Sequence, residues 1–366
     1  MTLPRLETIH LLRPDELPPS RDGFKVIGVF NPAAIAAPTP SQPDRVALLV
    51  RVAETPIEER EGFLPSPRYT EDGAIVVDWF PREAVETHDP RLMVFKDTGF
   101  KRLTFTSHLR VCFASEGRTV DEIGPVVEPT SPFDPLASFG YEDPRLTFLD
   151  GAFYATVVGA SEHGVVTQLL RTKDFTSFER LGTVFCRENK DVVLFPEKIG
   201  GEYLAIHRPT GRFEVTHPEM WLASSPDLAH WGKHRPLYGS TGGGDGSSWD
   251  DGRVGGGVPP IETPRGWLKI YHASCKPKPG EPIGVYAAGA LLLDRDNPLH
   301  VIAATREPFM VPEAGFERSG FVNAVVFPTG YTLRERELWL YYGAADTHVG
   351  LVRYELEALL NRLEAL

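Results

Sequence analysis

The sequence has few cysteines and no long apolar run. Its three cysteines, Cys112, Cys186 and Cys275, are an odd number, lie far apart and show no C-x-x-C spacing. We therefore expect buried thiols instead of a metal or redox pair. The N-terminal residues lack the apolar core of a signal peptide, and no stretch approaches the roughly 18 apolar residues of a membrane span. These absences predict a cytoplasmic protein that does not enter a membrane.

Positive charge is also scarce. The chain has 38 Lys and Arg residues against 50 Asp and Glu residues, which gives a formal net charge of −12 at pH 7. Such a chain repels nucleic acid and anionic membranes on average. Neither is expected as a partner, and any basic site must be local.

Several catalytic motifs are missing. No G-x-S-x-G elbow and no H-E-x-x-H or similar histidine spacing occurs, which argues against a serine hydrolase and a metal enzyme. The glycine-rich stretch that begins at Thr241 lacks the G-K-[ST] of a phosphate-binding loop. We interpret it as a loop, either a plain one or one that carries Trp249 as a sugar platform. No metal and no organic cofactor are expected.

Glycine and proline, in contrast, are abundant. The 34 glycines and 33 prolines follow no G-X-Y period, so they indicate many short elements joined by tight turns. A hydrophobic share of 42% with 24% charged residues is typical of a soluble globular chain, which excludes disorder and collagen. This composition favours β-structure.

The chain also repeats itself. Five segments share one pattern: an entry that bears Asn or Pro, a turn, an alternating aromatic and apolar strand that ends in a polar residue, and a further strand. They begin near Phe30, Tyr141, Val193, Gly257 and Val322. Successive units are 53, 63 and 65 residues apart, whereas the first unit spans 111 and must contain an insertion. Each unit has room for four strands.

Four-stranded units cannot bury both faces alone, but a ring of them packs each sheet against its neighbours. The repeat therefore predicts an all-β fold: a single five-bladed β-propeller over residues 1–366, with an N-terminal arm at 1–23 and an insertion at about 55–101. Leucines at 356, 359, 360 and 363 have helical spacing and predict a short C-terminal helix at 354–366. This helix either packs on the rim or contacts another subunit, so a homo-oligomer is left open.

Polar residues recur at the starts of the units and at the ends of their inner strands, where a propeller directs side chains to one central channel. They are Asn31, Arg51, Glu142, Asp143, Arg145, Lys190, Asp191, His207, Arg208, Arg253, His272 and Asp346. A single residue of this kind is explained equally well by solvation at a strand end. Recurrence at one place in five units indicates a site.

Four of these side chains are cations or hydrogen-bond donors from neighbouring units. They are Lys190, Arg208, Arg253 and His272. Arginine binds phosphate with two parallel hydrogen bonds and lysine adds a point charge, so the group predicts an anion site. The carboxylates Asp143 and Asp346 come from the units on the other side. The alternative is that the cations only neutralise nearby acidic residues, namely Asp191, Glu197 and Glu219.

The chain resembles glycoside hydrolase family 130, the mannoside phosphorylases and related mannosidases. The resemblance runs in order through most of the sequence. Its motifs are VIGVFNPA (26–33), LLVRVAE (48–54), GYEDPRL (140–146), ENKDVVLFPEKIGGEYLAIHRP (188–209), RVGGGVPPI (253–261), YHAS (271–274) and YYGAADTHVGL (341–351). The family's five-bladed propeller agrees with the repeat. The Lys190-Asp191 pair and the opening motif look more like the branch that acts on β-1,2-mannosides.

The resemblance implies inverting phosphorolysis of β-mannosides, in which inorganic phosphate attacks the anomeric carbon and releases α-mannose 1-phosphate and a shortened acceptor. It makes Asp143 the proton donor, acting through the sugar 3-hydroxyl. It makes the four cation and donor residues the phosphate ligands and Asn31, Arg51 and Asp346 sugar ligands. We add Glu142, Arg145 and His207 as candidate substrate ligands. The implied partners are a mannoside and phosphate, with phosphate as co-substrate.

Charge chemistry favours a phosphorylase independently. An inverting glycosidase needs a general acid and a second carboxylate that activates water. A phosphorylase needs one acid, because phosphate is already a nucleophile and its charge calls for cations. One candidate acid with four cation or donor groups fits the second pattern. A β-mannoside hydrolase and a sugar-binding propeller without catalysis remain the alternatives.

Overall fold

The computed structural model describes residues 2–130, 132–210, 217–241, 248–278 and 283–366, and their structure is built almost entirely of β-strands. The strands, in chain order, are β1 (Glu7–Leu12), β2 (Phe24–Ala36), β3 (Val46–Pro56), β4 (Phe63–Tyr69), β5 (Ile75–Pro81), β6 (Val85–Glu86), β7 (Leu92–Phe95), β8 (Lys101–Leu103), β9 (Thr106–Ser115), β10 (Thr119–Val127), β11 (Gly140–Leu149), β12 (Ala152–Ser161), β13 (Gly164–Thr172), β14 (Glu179–Phe185), β15 (Asn189–Leu194), β16 (Tyr203–Pro209), β17 (Met220–Ser225), β18 (Gly232–Tyr238), β19 (Arg253–Gly256), β20 (Ile261–Thr263), β21 (Gly266–Ser274), β22 (Tyr286–Leu293), β23 (Val301–Ala304), β24 (Val326–Arg334), β25 (Glu337–Ala344), β26 (His348–Glu355) and β27 (Glu364–Ala365).

Helical structure is limited to two short α-helices and three single 3₁₀ turns in the described ranges. The α-helices are α1 (Gly315–Arg318) and α2 (Leu356–Leu360), and the 3₁₀ turns are Pro14–Glu16, Arg82–Ala84 and Pro135–Ala137. No helix in the described part of the chain has the length and apolar character to cross a membrane. The prediction of an all-β protein is confirmed.

Most of the strands form antiparallel groups of four, and β20 and β27 add to the sheet of group 4 as further partners of β21 and β23. Group 1 is β2-β3-β9-β10, group 2 is β11-β12-β13-β14, group 3 is β15-β16-β17-β18, group 4 is β19-β21-β22-β23 and group 5 is β24-β25-β26-β1. Groups 1 and 2 join into an eight-stranded sheet through one parallel pair, Gly140 and Ser107. No sheet closes into a barrel within the described residues.

The N-terminal segment takes part in the last group. Strand β1 pairs with β26, with Glu7 opposite Arg353. Arg353 Nη1 donates to Glu7 Oε2 at 2.6 Å and Arg353 Nη2 to Glu337 Oε1 at 2.8 Å, so the guanidinium links β1 to β25. The segment predicted as an N-terminal arm thus supplies the fourth strand of group 5.

The insertion in the first unit folds into two small sheets between β3 and β9. One sheet pairs β4 with β5, and the other has the order β6-β7-β8. Strands β3 and β9 still pair directly, with Arg51 opposite Leu109, so the insertion leaves group 1 intact.

The predicted C-terminal helix is wrong in its extent. Only Leu356–Leu360 is helical, because Tyr354 and Glu355 still pair with β25 and Glu364–Ala365 pairs with β23. Leu359 and Leu360 are buried in the core. The leucine spacing predicted a longer helix because all four leucines pack on the core. They do so from a short helix and from the segment that leads into β27.

Apolar side chains fill the spaces between successive groups. Leu49 and Val111 of group 1 pack with Leu146 and Val157 of group 2. The other interfaces join groups 2 and 3, 3 and 4, 4 and 5, and 5 and 1 in the same way. Each group therefore buries apolar surface against two neighbours.

The three cysteines are unpaired, but they do not share one environment. Cys112 is buried in the core between groups 5 and 1, as predicted. Cys186 is exposed and Cys275 is half-buried, which contradicts the expectation that all three thiols are buried. Cys186 follows β14, the last strand of group 2, and Cys275 follows β21, which lies between β19 and β22 in group 4.

Candidate active site

Three β-bulges place the polar residues of the site. The pairing of β2, β11 and β15 shifts at Asn31, Asp143 and Asp191, and these residues have φ of 49°, 46° and 56°. Left-handed backbone is strained for most residues, but Asn and Asp tolerate it best. A bulge re-aims its side chain out of the regular alternation of a strand. One local device, repeated in groups 1, 2 and 3, therefore directs three polar side chains away from the cores.

Asp143 is the centre of the first cluster, which we call the Asp143 centre. Its Oδ1 accepts hydrogen bonds from Asn31 Nδ2 at 2.7 Å and Arg51 Nη1 at 2.9 Å. Lys190 Nζ lies 3.4 Å from its Oδ2. Burial alone would raise the pKa of Asp143, but the charges of Arg51, Lys190 and Arg145 and the bond from Asn31 hold it well below its usual value. The carboxylate is ionised at neutral pH in this arrangement.

Arg51 connects Asp143 to its neighbour Glu142. Its second terminal nitrogen, Nη2, donates to Glu142 Oε1 at 2.6 Å, and its guanidinium lies 4.7 Å from the ring centre of Phe30. Because both acidic side chains share one arginine, Glu142 is held at the edge of the same cluster. The structure thus brings together five predicted residues, namely Asn31, Arg51, Glu142, Asp143 and Lys190.

Asp346 lies close to this centre, but its pKa is shifted in the opposite direction to that of Asp143. Burial and the charge of Asp143 raise its pKa, although the charges of Arg91 and Arg51 act in the other direction. Its Oδ2 is 3.3 Å from Arg91 Nη1, and Arg91 also pairs with Asp89 at 2.7 Å. Two carboxyl groups whose environments push their pKa values apart are typical of catalytic sites.

Arg91 was missed in the sequence, because it lies in the insertion. The signal that could have found it is the triplet Asp89-Pro90-Arg91, which repeats the Asp-Pro-Arg of the motif at Asp143. The insertion is therefore a contributor to the site as well as an addition to group 1.

Asp191 is the centre of a second cluster, the Asp191 centre. Its Oδ2 lies 3.0 Å from Arg208 Nη2 and 3.3 Å from His272 Nε2, and its Oδ1 lies 3.4 Å from Arg145 Nη2. Burial opposes ionisation, but Arg208, His272 and Arg145 hold the pKa of Asp191 well below its usual value. Burial lowers the pKa of His272 to about 4, so its imidazole is neutral at pH 7.

The alternative interpretation, that the cations only neutralise nearby acidic residues, is correct for one of the three acidic residues that it named. Asp191 pairs with Arg208 and His272, whereas Glu197 and Glu219 form no ion pair with the four predicted phosphate residues in the described part of the chain. Arg208 Nε and His272 Nδ1 are buried and make no hydrogen bond within the described residues. Arg208 Nε therefore remains available as a donor at the Asp191 centre after Asp191 is neutralised.

Gly255 packs directly against the side chains of the Asp191 centre. A Cβ at this position would lie 2.5 Å from both Asp191 Oδ2 and His272 Nε2, and 3.0 Å from Arg208 Nη1. Side chains do not approach so closely, so the cluster requires glycine here. The sequence offered only the run Gly255-Gly256-Gly257, without a reason for it.

The remaining predicted phosphate residue, Arg253, lies apart from the other three. It is exposed and lines a pocket of about 260 Å³ together with Ser274 and Tyr286. Arg253 is opposite Ser274 in the register and two residues from Gly255, hence on the same face of β19. The four residues thus occupy three places: Lys190 at the Asp143 centre, Arg208 and His272 at the Asp191 centre, and Arg253 at the pocket.

His207 belongs to a different group of side chains. Its Nδ1 lies 2.9 Å from Asn189 Nδ2, its Nε2 lies 3.0 Å from His234 Nδ1, and its ring stacks on Phe185. Burial and His234 lower its pKa to about 3. Successive side chains of a strand point to opposite faces, so His207 faces away from Arg208. Its contacts give no support to its predicted role as a substrate ligand.

Two further predictions concerned Trp249 and metal binding. Trp249 stacks on Tyr271, at a ring distance of 5.8 Å, and donates to Arg306 O at 3.3 Å, so it packs against the core instead of forming a sugar platform. Residues 242–247 of its loop lie outside the described residues. Across the described ranges, no group of three or more His, Cys, Asp or Glu side chains is arranged to hold a metal ion.

The comparisons with known proteins identify the class of enzyme. The chain is 36% identical over 371 residues to a β-1,2-mannobiose phosphorylase of Listeria innocua, with 100% of this chain and 99% of the relative covered. It is 37% identical over 221 residues to a 1,2-β-oligomannan phosphorylase of a Thermoanaerobacter species, covering 60% of this chain and 69% of the relative. The protein is thus a glycoside phosphorylase by class.

The fold and the family model agree with this class. The solved β-1,2-mannobiose phosphorylase of Listeria innocua, in complex with β-1,2-mannobiose, has a TM-score of 0.87 and 35% identity, with 96% of each chain covered. The model of the family described as β-1,4-mannooligosaccharide phosphorylase matches residues 93–365. The chain belongs to glycoside hydrolase family 130.

Proposed function

We propose that the protein catalyses inverting phosphorolysis of β-mannosides, with β-1,2-linked manno-oligosaccharides as its substrates. The products are α-mannose 1-phosphate and an acceptor shortened by one sugar. Two relatives named for β-1,2-mannosides, one of them matched over the whole chain, support the linkage. Inorganic phosphate is a co-substrate, and no further cofactor is needed for this chemistry. A cytoplasmic location stays a prediction.

One observation in the site carries the proposal. Lys190 and Arg208 are directly opposite each other in the register of β15 and β16. Like charges in directly opposite positions destabilise a sheet unless an anion lies between them. Lys190 reaches Asp143 and Arg208 reaches Asp191, so the two cations border the space between the two centres. A phosphate in that space would contact both cations and stand beside the proposed acid.

Phosphate binding also offers a way to protonate Asp143. Lys190 and Arg51 hold its pKa low, but a general acid must carry a proton. A phosphate dianion on Lys190 would offset that positive charge and thereby raise the pKa of Asp143. Asp143 would then carry a proton only when phosphate, the nucleophile, is bound. The family resemblance adds that this proton passes through the sugar 3-hydroxyl.

We propose a five-bladed β-propeller as the architecture that assembles the site. Groups 1 to 5 would be the blades, because each packs against two neighbours and the chain of contacts returns from group 5 to group 1. Strand β1 would close the ring by joining the first part of the chain to group 5. The bulges at Asn31, Asp143 and Asp191 would then face one central channel.

The test separates phosphorolysis from hydrolysis. The protein is incubated with β-1,2-, β-1,3- and β-1,4-mannobiose, with and without inorganic phosphate, and mannose 1-phosphate and mannose are quantified. The proposal expects mannose 1-phosphate from the β-1,2-linked substrate, and only with phosphate present. Release of free mannose at the full rate in phosphate-free buffer would establish the hydrolase instead, with Asp346 as the candidate second carboxyl group.

A further inference from the structure

A cavity in the described structure lies next to the Asp143 centre, since Glu142 lines it. Its volume is about 540 Å³. One wall comes from the insertion, through Leu92 and residues 99–103, and the other comes from group 2, through Glu142 and Glu162. The volume is within the range of about 300–1,000 Å³ of pockets that bind small molecules.

Both walls of this cavity are connected to the catalytic site. Glu142 lines the cavity and accepts a hydrogen bond from Arg51, which in turn holds Asp143. On the other wall, Arg91 pairs with Asp346, and the next residue, Leu92, lines the cavity. The same short segment of the insertion therefore contributes to both places. A sugar chain that extended from the Asp143 centre past Glu142 would therefore reach the cavity.

The lining has the chemistry of a carbohydrate site. Phe100 lines the cavity and is 69% exposed, so the face of its ring is open to a ligand there. Arg102 Nη2 donates to Glu162 Oε1 at 2.9 Å, so a planar pair of charged groups crosses the cavity from the insertion to group 2. An aromatic face for the apolar side of a sugar, with fixed hydrogen-bonding groups for its hydroxyls, is the usual combination.

We propose that this cavity binds the sugar units of the acceptor that lie beyond the first one, with Phe100 as their stacking platform and the Arg102–Glu162 pair as their hydrogen-bonding partner. The inference rests on the proposed phosphorolysis, since it extends the same substrate away from Asp143. It makes the insertion the element that sets the range of chain lengths. The protein then acts on manno-oligosaccharides longer than a disaccharide.

The test uses the synthetic direction, where the acceptor can be varied alone. Mannose 1-phosphate is supplied with mannose, β-1,2-mannobiose or β-1,2-mannotriose as acceptor, and phosphate release is measured. For Phe100→Ala, the KM for the two oligosaccharide acceptors should rise about three- to tenfold, as expected for loss of one stacking contact. The KM for mannose should not change. Arg102→Ala should show the same selectivity.

The matched control is Phe63→Ala. Phe63 is another exposed phenylalanine of the insertion, at 42%, and it does not line the cavity. This variant should behave as wild type with every acceptor. An equal effect of Phe100→Ala on mannose and on the oligosaccharides would overturn the inference, as would a wild-type protein that accepts mannose but no longer chain. If the wild type releases phosphate with no acceptor at all, the proposed function itself has failed.

Discussion

The guanidinium of Arg145 connects the two carboxylate centres. Its Nη1 donates to the main-chain oxygen of Asp143 at 2.6 Å, and its Nη2 lies 3.4 Å from Asp191 Oδ1. It also donates to the main-chain oxygens of Gly256 and Gly257, at 3.3 Å and 3.2 Å. Arg145 is 1% exposed, and these contacts with the protein use its donors. It acts as a positioning residue, whereas the sequence predicted a substrate ligand.

We expect Arg145→Met to lower the free energy of unfolding by about 3–5 kcal/mol, the usual effect of removing one partner from a buried ion pair. The measurement is urea unfolding followed by circular dichroism. Arg171→Met is the control, because Arg171 pairs with Glu179 at the exposed surface, where an ion pair contributes little to stability. A similar, small effect for both variants would contradict the connecting role of Arg145.

Asp143→Asn should keep the fold and lose most of the activity. The two side chains have the same shape, and Asn also tolerates the left-handed backbone at this position. Removal of a general acid typically lowers the rate about 10²–10⁴-fold. The measurement is kcat for phosphorolysis, with the circular dichroism spectrum as the control for folding. A variant with unchanged kcat would remove Asp143 from the mechanism.

Asp346→Asn should stabilise the protein at neutral pH. Because burial raises the pKa of Asp346, its ionised form is disfavoured in the folded state. The wild type therefore loses stability as the pH rises from the unfolded-state pKa, about 3.9, through the raised folded value. The variant lacks this cost, so its free energy of unfolding should exceed that of the wild type at pH 7 and equal it near about pH 3.

Asp143→Asn provides a comparison of opposite sign. The folded-state pKa of Asp143 is depressed, so its ionisation stabilises the fold above the unfolded pKa, and this contribution is lost as the pH falls. The variant should thus be less stable than the wild type at pH 7, and the difference should shrink in acid. Parallel changes in both variants would show that the two carboxyl groups do not have opposite environments.

Much of the fold followed from the sequence, because four strands per unit leave a visible pattern of alternating apolar residues. The Asp143 centre was also predictable, since Asn31, Arg51, Asp143 and Lys190 are all among the polar residues that recur at the starts of the units and at the ends of their inner strands. Arg91 could not be found in this way, because it comes from an insertion without an equivalent in other units. The exposure of Arg253 could not be predicted either, because it depends on how the start of β19 packs against the neighbouring parts of the fold.

The four predicted phosphate residues should differ in their effects when each is changed to alanine. Lys190 and Arg208 border the proposed phosphate, so each variant should raise the phosphate KM about 10–100-fold and the mannoside KM much less. Arg208→Ala and His272→Ala should also lower the melting temperature, because Arg208 neutralises the buried Asp191 and the neutral His272 contacts the same carboxylate at 3.3 Å. Arg253→Ala should leave the melting temperature unchanged, because Arg253 is exposed.

The measurements are phosphate KM, mannoside KM and melting temperature on the same four variants. Arg208→Lys adds a finer test, since an ammonium group cannot reproduce the two parallel hydrogen bonds of a guanidinium to phosphate. If the melting temperature falls in the Arg208 and His272 variants while every phosphate KM stays constant, Arg208 and His272 only stabilise the buried Asp191, and none of the four residues binds phosphate.

Gly255→Ala should damage phosphate use without removing any functional group. Its Cβ would meet Asp191 and His272 at 2.5 Å, so the two side chains must move apart or β19 must shift. Either change displaces Arg208 and His272 from their present positions. We expect a rise in the phosphate KM of about tenfold or more, the loss of one well-placed charged contact, with a smaller change in the mannoside KM.

Gly232→Ala is the control for this variant. Gly232 begins β18, and a Cβ there would have no neighbour within 4 Å, so the substitution tests the effect of an added methyl group on a strand alone. It should leave both KM values and the melting temperature as in the wild type. If Gly255→Ala also has a normal phosphate KM while it folds normally, the Asp191 centre tolerates displacement, and phosphate must bind through Lys190 and other groups around Asp143 instead.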